Sequence, residues 1–171
     1  MLTKQKNQNN DSCFKILKQA EIIIPLGYVH GTQLSLPPPK NLFKNSSSLT
    51  DENFKKVSYR LIPGSKYIVK TFEIIKKISG DSCIEFLLKQ EALFISAQGI
   101  SLLQKICKGI FPKNKWVLSF DKKSALCKDI DGDHLIPCMK RSLYKTWFFD
   151  CCIYELERDP REDCLLCVCS K

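Results

Sequence analysis

The chain has 171 residues, 44% of them apolar, which suits one domain with a real core; ten are cysteines, and half of those fall in the last twenty-one positions. The net charge of +9 is uneven: residues 1–80 carry 13 Lys/Arg against 5 Asp/Glu, and residues 81–171 carry 14 against 13. No apolar run reaches membrane-spanning length and MLTKQKNQNN lacks a secretory apolar core, so a cytoplasmic, reducing location is expected, which disfavours a disulfide framework.

Residues 1–56 read as a basic, partly disordered arm with a linker and one edge strand. Phe14 to Leu17 has the pattern of a short helix. Glu21 to His30 reads as a strand that Pro25 confines to an edge or an end. Leu34 to Asp51 contains Pro37, Pro38 and Pro39 in a row and then three serines. That composition predicts an extended linker whose prolines are able to dock on an aromatic groove of a protein partner.

Residues 57–171 read as a single α+β domain. Phe54 to Ile62 alternates as a strand and ends at Pro63-Gly64. Within Tyr67 to Ser79, Ile68, Phe72 and Ile75 recur at spacings of four and three, among lysines, which predicts an amphipathic helix with a basic outer side. Gly80 closes it, and Asp81-Ser82 caps a second helix over Cys83–Gln90. A short strand over Ala92–Ser96, a helix through Cys107 and a strand over Trp116–Phe120 then make a βαβ unit. Residues 121–142 read as irregular. Lys145–Tyr154 and Cys164–Cys169 read as a C-terminal β-hairpin about Asp159-Pro160. The expected fold is a small mixed sheet with two to three helices on one side.

Symmetric pairing in that hairpin places Cys151 opposite Cys167 and on the face that Cys167 and Cys169 share. Three thiolates on one face fit a zinc-stabilised binding module, with Cys138, Cys127 or His134 as fourth ligand. Asp129, Asp131 and Asp133 alternate like the first ligands of a calcium loop. His134 occupies the glycine position and Lys140 the glutamate position, so an acidic turn is the better reading. Only two histidines are present. His30, beside Gly31, reads as exposed; His134, after Asp133, is the one base available to a cysteine-nucleophile enzyme. Trp147 and Phe149 lie in a run of aromatics and mark a surface for partner proteins if one sheet face is uncovered.

These features favour a small intracellular adaptor or regulator that works through protein–protein contacts. The alternatives are nucleic-acid binding through the basic half, a cysteine nucleophile, and the zinc module. The acidic stretch Glu155–Asp163 ahead of a short apolar tail resembles the glutamate-rich export signals of bacterial effectors delivered by type IV secretion. That resemblance implies secretion from a bacterium as an alternative location.

Overall fold

The computed structural model describes residues 10–171, so the first nine residues of the basic arm lie outside it. The fold is mixed α+β. Among the described residues it has seven strands, β1 (Phe14–Ile23), β2 (Leu42–Lys44), β3 (Lys66–Ile74), β4 (Trp116–Leu118), β5 (Leu135–Arg141), β6 (Trp147–Ile153) and β7 (Asp163–Ser170), and two α-helices, α1 (Gly80–Lys89) and α2 (Ser96–Ile106). All seven strands form one mixed sheet in the order β1-β3-β7-β4-β5-β6-β2, larger than the small sheet expected. The β7–β4 and β6–β2 pairs are parallel and the other four are antiparallel.

Strand alternation divides the core in two. Tyr67, Val69, Val117, Met139, Trp147, Phe149, Cys164 and Leu166 pack with Ile100 and Leu103 of α2. Their neighbours Phe72, Ile74, Leu118, Cys138, Leu165 and Cys167 pack with Cys83, Phe86 and Leu87 of α1. Residues adjacent along a strand point to opposite faces, so the helices cover opposite sides of the sheet and not one side as expected. Covering both faces is what lets β7 read as the unbroken apolar run Cys164–Val168.

That same run explains why the C-terminal hairpin is absent. The turn forms, with the Glu162 and Asp163 N–H groups donating to Asp159 O. A strand apolar on both faces takes an interior place, however, and β7 inserts between β3 and β4. Two strands, β4 and β5, then separate it from β6. Cys151 therefore pairs with Pro137, and Cys167 with Lys70.

The segment read as a basic helix is β3. Its apolar residues fit period two as well as period 3.6, and the β-branched Ile68, Val69, Thr71 and Ile74 favour the pleated alternative. Phe14–Leu17 is likewise strand, the first part of β1. The βαβ unit does not form, because residues 92–95 stay outside the ladders; Leu93 N–H reaches Val168 O, and Phe94 O accepts from Tyr59 N–H. Residues 54–62 also form no strand, although Phe54 is fully buried. Residues 14–56 contribute β1 and β2, the two edges of the sheet.

The missed strand is β5, hidden by Pro137. The Pro137 carbonyl accepts Ser119 N–H, so the donor that proline lacks falls at the end of the β4 ladder. α1 forms but starts at Gly80, three residues before the expected Cys83, because its cap is Ser79, whose hydroxyl accepts from Ser82 N–H. Gly80 is needed there because a Cβ would lie 2.8 Å from Tyr154 O.

Candidate reactive-cysteine site

On β6, Trp147, Phe149 and Cys151 point to the α2 side and Phe148, Asp150 and Cys152 to the α1 side. After Ile153 the chain turns back, and Arg158 N–H bonds Ile78 O at 2.8 Å, which pins the returning segment beside the start of α1. The Arg158 side chain is thereby folded under its own loop and is only 3% exposed. Its Nε donates to Leu156 O at 3.1 Å, and Nη2 donates to Ile153 O at 2.6 Å and to Leu156 O. Nη1 donates to Cys152 Sγ at 3.2 Å.

An arginine stays charged at any physiological pH, and a buried charge requires compensation. No carboxylate ion-pairs with Arg158 among the described residues; two backbone carbonyls and the Cys152 sulfur surround it. Cys138, on β5, is diagonal to Cys152 across the ladder and pairs with it electrostatically, while the Cys152 thiol itself donates to Ile136 O at 3.6 Å. The Cys138 pairing, followed by the Arg158 charge, lowers the Cys152 pKa against the effect of burial. The same pairing and burial push Cys138 well above the usual thiol range.

The other shifted thiols move upward. Burial takes Cys83 and Cys164 to about 12, and it also raises Cys107, Cys127, Cys151 and Cys167. Cys152 is half-buried and opens into a cleft of about 350 Å³ floored by β5, β6 and β4. Asp150, Glu157, Asp159, Glu162 and Asp163 surround that cleft, so a protein of net charge +9 has a locally acidic opening there.

The residues singled out in the sequence are placed differently. Cys167 and Cys169 are together, with sulfurs 3.5 Å apart, but Cys151 lies three strands away on the opposite face. No group of three His, Cys, Asp or Glu side chains among the described residues is disposed to hold a metal ion. Asp129, Asp131 and Asp133 form a turn in which Asp129 Oδ1 accepts the other two N–H groups. His134 bonds Glu155 through Nδ1 at 2.8 Å and packs on Tyr154; no thiol is among its partners. His30 is not exposed but 8% accessible, 2.8 Å from the Tyr28 hydroxyl.

Trp147 and Phe149 are 2% and 0% exposed, so they are core residues and present no surface. Their neighbour Phe148 stacks instead on Phe43 of β2, which is 54% exposed. Pro37 and Pro38 are exposed and Pro39 is half-buried in the loop leading to β2. Sequence reasoning missed Arg158, since an arginine flanked by Glu and Asp reads as a solvated turn residue. It named Cys138 only as a spare zinc ligand and passed over Cys152. No helix among the described residues is long and apolar enough to cross a membrane. No protein-family description, curated protein or solved structure matches this chain.

Proposed function

We propose that this chain is a cysteine-nucleophile protein whose working group is the Cys152 thiolate. The observation that carries this reading is the contact of buried Arg158 Nη1 with Cys152 Sγ at 3.2 Å, at the floor of an open cleft. The thiolate is the nucleophilic form of cysteine, and a neighbouring cation stabilises it without a separate base. His134 has no part in this chemistry. An electrophilic substrate enters from the cleft, bonds to Cys152 Sγ and leaves Arg158 paired with its carbonyls.

The test is timed alkylation of the folded protein by a neutral reagent at several pH values, with each thiol identified by peptide mass. Cys152 is expected to label first and to keep labelling at pH values where the other thiols have stopped. Uniform labelling, or faster labelling of Cys13 or Cys169, overturns the reading.

A second reading, contact with a partner protein, is favoured by the exposed Phe43 ring on Phe148 and by exposed Pro37 and Pro38. It predicts that Phe43→Ser loses a partner that wild type captures, with unchanged thermal unfolding. Retention of that partner removes this reading.

A further inference from the structure

Cys152 does not face the cleft alone. Cys138 is 3% exposed, lies on the neighbouring strand and shares the cleft, whereas Cys152 is the more open of the two. A substrate arriving from solvent therefore meets Cys152 first, with a second thiol on the adjacent strand lining the same cleft. A bare nucleophile needs no such neighbour.

We propose that Cys138 is the resolving thiol of Cys152, and that the cleft carries out thiol–disulfide exchange with disulfides as its substrate class. This rests on the nucleophile reading of Cys152. In the first step the Cys152 thiolate attacks one sulfur of the substrate, the substrate S–S bond breaks, and one thiolate leaves and takes a proton from water. In the second, Cys138 gives up its proton and attacks Cys152 Sγ of the mixed disulfide, and the second substrate thiolate leaves and is protonated. The protein loses two electrons as Cys138–Cys152 closes, and the substrate gains them as two thiols.

Cys138 pairs with Asp150 and Cys152 with Ile136, so the two are diagonal neighbours on one face, with Cα atoms about 7–8 Å apart, just beyond the span of an unstrained disulfide, and closing the bond requires the two strands to shift. A bond closed there holds the two strands under strain and is readily reduced again. Arg158 keeps its contact with the Cys152 side throughout and stabilises that sulfur as the leaving group when the bond reopens.

The experiment uses the full chain, fully reduced, and cystamine as the disulfide. Wild type is expected to lose the Cys138 and Cys152 thiols together, to retain no cysteamine adduct at either, and to yield a Cys138–Cys152 cross-linked peptide. Cys138→Ser and, as a second variant that adds no hydroxyl to the core, Cys138→Ala are each expected to hold a cysteamine adduct on Cys152. A lasting adduct on wild-type Cys152, with Cys138 still free, overturns the resolving role while leaving the nucleophile reading intact. Absence of any adduct on Cys152 in all three proteins overturns both.

Discussion

Replacing Arg158 with methionine removes the cation beside Cys152 and keeps an apolar stem of similar length. A hydrogen bond to a charged group contributes about 1.5–3 kcal/mol. At 1.36 kcal/mol per pH unit, its loss raises the thiol pKa by about one to two units. The thiolate fraction at a pH below both titrations then falls about 10- to 100-fold. Intrinsic nucleophilicity rises with pKa along a Brønsted slope of about 0.4–0.5, so the expected drop in rate is smaller, about 3- to 16-fold. The assay is the pH profile of Cys152 alkylation, whose midpoint should move upward in Arg158→Met and return most of the way in Arg158→Lys. The groups facing Cys152 are Cys138 from β5, Arg158 from its own loop, Cys83 from α1 and Asp163 from β7; the variant changes only the arginine. The carbonyls of Ile153 and Leu156 lose their donor, so a urea titration must accompany the profile. A folded Arg158→Met protein with an unmoved midpoint refutes the account of Cys152 activation.

The acidic opening predicts a charge preference: cystamine, a dication, should react at Cys152 about tenfold or more faster than oxidised glutathione at low salt, with the gap closing as salt rises. Glu157→Gln with Glu162→Gln should shrink that ratio; an equal rate for both disulfides in wild type removes steering as a factor. His30 is held neutral, its pKa lowered to about 4 first by burial and then by Arg60, against a pull from Asp51. The unfolded chain takes up that proton near 6.5, so stability is full above 6.5 and falls by up to about 3 kcal/mol as pH drops towards 4. His30→Phe should flatten denaturant stability across that window, and a profile as steep as wild type assigns the acid loss elsewhere. Gly80→Ala places a methyl 2.8 Å from the Tyr154 carbonyl and should cost about 1–3 kcal/mol in urea unfolding, whereas Gly109→Ala, with open space around it, should cost less.

How far the fold was legible depends on where neighbours decide. The presence of α1 was readable because Asp81 supplies a local first-turn charge, but its start was not: Gly80 reads as a stop, whereas Ser79 caps the helix and Gly80 opens it. The apolar runs of β6 and β7 were readable as strands, because nothing helical is that short and that rich in β-branched and aromatic residues. Their partners were not readable: a turn at Asp159-Pro160 suggests a hairpin, and only the coverage of both faces of β7 draws it between β3 and β4. β3 was lost to a coincidence in which Ile68 and Phe72 satisfy both periods. The candidate site was least legible. Arg158 reaches Cys152 across six residues by a loop folded under itself, and no spacing rule records that path.

Ten thiols in one small protein pose a selectivity problem that exposure alone does not solve. Cys13, Cys107, Cys127, Cys151 and Cys169 are, like Cys152, only partly covered. Burial in an apolar setting disfavours the thiolate, and it raises Cys107, Cys127 and Cys151 among these, as well as the fully covered Cys83, Cys164 and Cys167. The sheet thus suppresses most of its sulfur by the same packing that makes cysteine a useful small core residue. Cys152 departs from this first through its pairing with Cys138 and then through the buried Arg158 charge beside it. Asp163 feels the Arg158 charge, which favours its carboxylate against burial, but it closes no ion pair with the guanidinium. Asp163 instead spends Oδ2 on the Asp159 N–H of the turn. The turn thus holds Asp163 through the Asp159 N–H, and Arg158 Nη1 donates to the Cys152 sulfur.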